Sequence, residues 1–300
     1  MTEPCDLSAI EARRLIGARA LSPVELLESC LARADAVNPA VNALVTIDRD
    51  AAMEAARAAE RAVMAGGPLG LLHGLPLAVK DSEATGGMRT TQGSLVHAED
   101  LPEADDASTA RVRAAGAVIF AKTNLPEFGT GANTRNRVFG ATGNPFDPAL
   151  TCAGSSGGSA VALAAGMAPV ATGSDYGGSL RTPAGFCGVV GMRPSLGTVP
   201  GEGAPLSPWA VRGPMGRRVA DAHLLMRAQA GHELADPWTV EAPVPPAAPA
   251  DLATLRVAVS PDLGCCPVSG AVRAVFAARM EGLAARLGRL EEAAPEADPR

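Results

Sequence analysis

Residues 173–183 read GSDYGGSLRTP, which sets Ser179 directly after two glycines in a 300-residue chain that holds only four histidines. Consecutive glycines let the backbone adopt conformations closed to other residues, so that neighbouring N–H groups converge on one point. Such donors suit a developing negative charge, and each contributes about 2.7–4 kcal/mol by mutagenesis experience. A plain tight turn uses the same residues, and a second GGS at 157–159 shows how readily the tripeptide occurs. The question that decides between the two is which group would take the proton from Ser179. His73, His97, His223 and His232 stand far apart with no HxxxH spacing, so each reads as a solvated or hydrogen-bonded imidazole.

Lysine is the alternative base. Of 26 basic residues only Lys80 and Lys122 are lysine, so this sequence hardly uses the residue for surface charge. Lys80 closes the run GLPLAVK and Lys122 closes AGAVIFAK, both short apolar stretches of strand character. In an open α/β sheet the carboxyl ends of strands are where ligands bind. A free lysine has a pKa of about 10.4, and burial without a counter-ion lowers it by about three units, enough for a base at neutral pH. The scarcity of lysine alone leaves Lys80 and Lys122 as rivals. Upstream, AGSSGGSA at 153–160 satisfies G-x-S-x-G through Gly154, Ser156 and Gly158. The preceding NPFDPALTCA holds two prolines, however, and does not read as the strand that a nucleophile elbow requires.

With 47% hydrophobic residues the chain has ample material for a buried core. The net charge of −6, with basic residues spread singly, offers no footprint for phosphate backbones or anionic membranes, so neither nucleic acid nor membrane is an expected partner. The start, MTEPCDLSAIEARRL, lacks a basic segment followed by an apolar one, and the apolar stretch 160–173 is cut by Gly166 and Pro169. These features predict a cytoplasmic protein. The six cysteines form no CxxC pair and read as reduced thiols, with adjacent Cys265 and Cys266 incidental. Neither a metal nor an organic cofactor is expected.

The chain is expected to be one domain with four segments. Residues 1–67 read helical: Ser8 with Glu11 makes one capping box, Ser22 with Pro23 and Glu25 a second, and a third, Ala-rich helix ends at Gly66 and Gly67. Residues 68–235 form a core of α/β rhythm, with a strand near 75–79, a helix near 106–115 and a strand near 117–121. Within it, 151–213 is dense in Gly and Ser but interleaved with apolar runs, which predicts buried loops close to a site. Residues 236–254 are a proline-rich connector, and 255–300 hold one strand (LRVAVS), one amphipathic helix near 269–288 and a polar tail, EEAAPEADPR.

Taken together, VKD at 79–81, GSSGGS at 154–159 and GSDYGGSLRTPAGFCGVVGMRPS at 173–195 resemble the amidase signature family, whose members hydrolyse carboxamides. Flanking runs match as well: GLLHGLPLAVKD, AGAVIFAKTNLPEFG, NPFDP and GPMGRRVADA, so that the resemblance covers about residues 8–290. It implies an α/β fold with a mixed central sheet flanked by helices. The implied catalytic residues are Ser179 as nucleophile, Ser155 as bridging serine after a cis peptide bond, and Lys80 as the base that starts neutral. Lys122 then falls to a structural role. The backbone N–H groups of Tyr176, Gly177, Gly178 and Ser179 would receive the oxyanion, and Ser156, Asp175 and Arg181 would hold the surrounding loops. Family members run further than this sequence, which implies that the C-terminal part of the sheet is missing. Three readings follow: an amidase acting on a small-molecule amide, a glutaminase-like subunit of an amidotransferase, and a non-catalytic remnant or partner-dependent interaction subunit. Either a homo-oligomer or a completing partner chain belongs to the same set of expectations.

Overall fold

The computed structural model describes residues 3–201, 207–239, 241 and 244–294. They fall into two compact units, Met1–Pro246 and Ala247–Arg300.

In the first unit, Ser8 and Ser22 start helices α1 (Ala9–Gly17) and α2 (Pro23–Val41). Only the second capping box closes. The Ser22 N–H donates to Glu25 at 3.0 Å, whereas Glu11 turns its carboxylate to Arg14 at 2.7 and 2.9 Å. Two charge-assisted bonds to a guanidinium win over one backbone N–H. Strand β1 (Leu44–Ile47) leads into α3 (Arg49–Ala65), which Asp48 caps and Gly66 ends in the left-handed conformation. The α/β rhythm follows as β2 (Pro76–Lys80), α4 (Ala107–Ala114), β3 (Val118–Thr123), the short β4 (Arg135–Asn136) and β5 (Gly140–Ala141), and α5 (Gly157–Ala164). Then come β6 (Val170–Asp175), α6 (Arg181–Cys187), β7 (Val190–Gly191), β8 (Val211–Gly216) and α7 (Val219–Gln229).

Six strands form one mixed sheet in the order β1-β3-β2-β6-β8-β7. Central β2 is parallel to both neighbours, while β1, β8 and β7 pair antiparallel. Helices cover both faces. Leu77, Val79 and Ile119 pack with Ile16 of α1 and Leu225 of α7, whereas Ala78, Phe120 and Ala171 pack with Leu27 of α2 and Leu163 of α5. Side chains alternate along a strand, so Lys80 follows Ala78 onto the α5 face.

Strand β3 carries one extra residue. Leu77 pairs with Ile119, but Ala78 pairs with Ala121. This bulge reverses the side-chain alternation of the residues beyond it. Thr123 therefore pairs with Lys80 and shares its face, where its hydroxyl lies 2.6 Å from that of Ser159 in α5, while Lys122 pairs with Val79 on the opposite face.

Residues 152–163 are buried throughout, so the Gly/Ser-rich run is part of the core and not a linker. Helix α5 approaches the sheet so closely that a Cβ on Gly158 would stand 2.3 Å from the Asn124 backbone N and 2.8 Å from the Ala43 carbonyl oxygen. Only glycine permits that approach.

The second unit contains β9 (Arg256–Val259), α8 (Gly270–Ala284) and β10 (Arg289–Glu292), with β9 and β10 paired in parallel. The polar tail expected from residue 291 thus begins inside a strand. Its ladder bonds come from the backbone, which a polar sequence supplies as well as an apolar one. Connector residues 240, 242 and 243 and tail residues 295–300 lie outside the described residues. Among the described residues no helix is long and apolar enough to cross a membrane.

Candidate active site

Lys80 ends the central strand and is fully buried. Its Nζ donates to three hydroxyl oxygens, Ser155 Oγ at 2.8 Å, Ser174 Oγ at 2.9 Å and Ser156 Oγ at 3.0 Å. The three come from two segments, the N-terminus of α5 and the end of β6, that flank β2. Among the described residues no carboxylate bonds this amine directly. Adjacent Asp81 points elsewhere and accepts from the Thr91 hydroxyl at 2.5 Å and from the Thr91 N–H. Burial pushes the Lys80 amine down to about 7; Glu83 opposes that shift, Arg212 adds to it and Asp175 opposes it weakly.

The Gly154–Ser155 peptide bond is cis, as the resemblance implies. Ser156 ties the α5 terminus to β6, since its Oγ accepts from the Ser174 N–H and donates to the Ser174 carbonyl, both at 3.3 Å. The Ser156 N–H donates to the Ser179 carbonyl at 3.2 Å, which carries the Gly-Gly-Ser turn up against the same terminus. Ser155 and Ser179 line one cavity of about 270 Å³ together with Phe128, Ser174 and Tyr176. A hollow of about 480 Å³ shares its Gly129, Thr130, Tyr176 and Ser179 walls and continues past Gly154 and Thr182. Among the described residues the Ser179 hydroxyl has no hydrogen-bond partner, whereas Ser155 Oγ is bonded to Lys80 Nζ.

The N–H groups expected to receive an oxyanion divide. That of Gly178 donates to Asp175 Oδ1 at 2.8 Å and is engaged in holding the turn. The N–H groups of Tyr176, Gly177 and Ser179 have no hydrogen bond among the described residues, and Tyr176 stands exposed at the rim.

Asp175 organises the turn. It is buried, and its carboxylate accepts from the N–H groups of Gly178 and Leu180, from Arg181 at 3.0 Å through two nitrogens, and from Arg193 at 3.3 Å. Burial works against its charge, but the Arg181 bonds and the two N–H groups outweigh burial and hold the carboxyl down to about 2.

Lys122 lies apart from this cluster. Its Nζ bonds the Glu83 carbonyl, Thr85 Oγ1 at 2.8 Å and Thr90 Oγ1 at 3.0 Å, on the face opposite Lys80. Three participants escaped the sequence reading. Ser174 is the third oxygen around Lys80. Arg193 also caps the Asp175 carbonyl at 2.6 Å, and its position within the quoted GMRPS run was the available signal. Buried Glu83, three residues after Lys80, has an ion-pair contact of 3.5 Å to Arg212, which also pairs with Asp106. Burial pushes the Glu83 carboxyl up, and Arg212 works against that. Arg212 reaches the group because β8 sets it opposite Ser174.

The fold has counterparts among known proteins. The amidase family model matches residues 25–299, and the chain belongs to the amidase signature family. It is 39% identical over 298 residues to an acylamidase of Rhodococcus erythropolis, covering 97% of this chain and 62% of that protein. It is 43% identical over 262 residues to the A subunit of the glutamyl-tRNA(Gln) amidotransferase of Acidothermus cellulolyticus, covering 85% of this chain and 52% of that protein. The crystal structure of a bacterial aryl acylamidase of the amidase signature family superposes with a TM-score of 0.86 at 29% identity, over 96% of this chain and 61% of that one. The chain therefore spans about half to three-fifths of the length of these relatives.

Proposed function

We propose that the chain hydrolyses a carboxamide C–N bond, giving a carboxylate and ammonia or an amine through an acyl-enzyme on Ser179. The observation that carries this reading is the buried Lys80 amine, held by hydroxyl groups and not by a carboxylate, 2.8 Å from Ser155 at a cavity that Ser179 also lines. In this mechanism Ser179 Oγ attacks the amide carbon and passes its proton to Ser155 Oγ, while Ser155 passes its own proton to neutral Lys80. The N–H groups of Tyr176, Gly177 and Ser179 receive the oxyanion, each worth about 2.7–4 kcal/mol where the geometry is met. The proton returns along the same path to the departing nitrogen, and water then releases the acyl group by the same relay. The substrate is a small, neutral carboxamide, and the cytoplasm is its proposed place of action.

A second reading rests on the 43% identity to the A subunit of an amidotransferase. Under it the same relay would act on glutamine and depend on a completing partner chain. A third reading, a non-catalytic interaction chain, would leave Ser179 unlabelled. One experiment separates the three. A serine-directed fluorophosphonate is applied to folded protein, to Lys80→Ala and to unfolded protein, followed by peptide mass spectrometry. An adduct on Ser179 that needs both folding and Lys80 supports the relay, after which aryl, aliphatic and glutamine amides are screened. Absence of the adduct from folded wild type overturns the hydrolase reading for this chain alone and favours the other two.

A further inference from the structure

Four of the six cysteines are buried, Cys5, Cys30, Cys152 and Cys187, and the two exposed ones are adjacent, Cys265 and Cys266. Neighbouring side chains on extended backbone point to opposite sides. Here they converge, with the two Sγ atoms 3.8 Å apart. A turn between β9 and α8 produces the convergence. Leu263 and Gly264 both take positive φ, 53° and 75°, and the Asp262 carbonyl accepts from the N–H groups of Cys265 at 3.1 Å and Cys266 at 2.8 Å. The Asp262 carboxylate fixes the turn further, accepting from the Gly264 N–H at 2.9 Å and from Arg273 of α8 at 2.7 Å. The sulfurs are thus presented together, towards solvent, on a tethered loop.

We propose that Cys265 and Cys266 are a dithiol chelating site for a thiophilic centre of the trivalent-arsenic class. A direct disulfide fits less well. Adjacent Cα atoms stand about 3.8 Å apart across a trans peptide, short of the roughly 4.4–6.8 Å that disulfides span, and the sulfurs would have to close to about 2.05 Å. A bridging atom larger than a bond suits sulfurs that start 3.8 Å apart. With an organoarsenic oxide each sulfur forms one As–S bond, the As=O bond breaks, and the oxygen leaves as water with both thiol protons. Arsenic stays trivalent and no electron is transferred. The hydrogen bond shared with Cys266 pushes the Cys265 thiol up, which disfavours the thiolate chemistry of peroxide sensing. Once one sulfur is bound, the second closes the ring at an effective concentration in the millimolar range or above, which a free monothiol must outcompete.

Phenylarsine oxide is the probe, applied to the folded full chain and read by intact mass and peptide mapping. The expected result is one phenylarsenic unit on the peptide holding Cys265 and Cys266. It should resist excess glutathione at least roughly ten-fold longer than any adduct of Cys265→Ser or Cys266→Ser, and leave with dithiothreitol. Three results overturn the proposal: no adduct on folded wild type, an adduct that glutathione strips as fast as from the single variants, or an equally resistant adduct in the double serine variant. Both positions are exposed, and a melting curve for each variant confirms that it is folded.

Discussion

The rate at which a fluorophosphonate labels Ser179 should follow the neutral fraction of Lys80. An unperturbed lysine at 10.5 would be neutral in about one molecule in three thousand at pH 7, whereas an amine at about 7 is neutral in half of them. Burial behind Ser155, Ser156 and Ser174 thus raises the population of competent base about a thousandfold, equivalent to about 5 kcal/mol of disfavoured charge. With the neutral amine as the proposed base, labelling grows with pH. Labelling should be half-maximal near pH 7, level off about one unit above, and fall about tenfold per unit below pH 6. Lys80→Met should lose both the limb and most of the rate. The assay is the pseudo-first-order rate of adduct formation by intact mass from pH 5 to 9. A half-rise above pH 9, or a Lys80→Met protein that labels at the wild-type rate with the same profile, would refute the reasoning.

Ser155→Ala should slow labelling by about a hundredfold or more, since it removes the relay atom, whereas Ser174→Ala, which removes one of three oxygens around the amine, should slow it less than tenfold. The reverse order in the same kinetic assay would count against Ser155 as the bridge. Asp175→Asn removes the charge facing Arg181 and Arg193 and should cost about 2 kcal/mol in urea unfolding at pH 7. Because the folded carboxyl lies below its ordinary value, that stabilisation is present above about pH 4 and disappears as pH falls through about 2, so the two proteins should converge there. Gly158→Ala should destabilise by roughly 3 kcal/mol or leave the protein unfolded at 37 °C, because every close neighbour of the added Cβ is backbone and cannot turn aside. A melting temperature equal to wild type would show that α5 has more room than its geometry indicates.

Local chemistry was readable from the residues, and pairing across the sheet was not. Ser22 with Glu25, the end of α3 at Gly66 and the end of β2 at Lys80 are decided within a few residues, and all follow from caps and apolar runs. The position of Ser155 beside Lys80 across 75 residues was accessible only through the likeness of the joint motif to a family. Ser174 and Arg212 come together through β6–β8 register over 38 residues, which no periodicity announces. Strand β10 escaped because Arg289–Glu292 has no apolar alternation. The first capping box failed for a local reason, the competing guanidinium of Arg14. The choice between Lys80 and Lys122 rested on resemblance alone, since one ends a buried strand, the other stands one residue from the end of its neighbour, and both amines sit among hydroxyl oxygens.

The extra residue in β3 gives that choice a geometric cause. Without the bulge between Ile119 and Ala121, residue 122 would keep the phase of Phe120 and enter the α5 face, crowding a second amine against the serines that hold Lys80. Two cations would then compete for the same oxygens, and mutual repulsion would depress both. A single inserted backbone unit therefore works as a phase selector, sorting two chemically identical side chains on adjacent strands into the proposed proton acceptor on one side of the sheet and an amine bonded to the Glu83–Thr90 loop on the other. Deleting it should scramble the titration of the cluster before it disturbs the pairing of the strands.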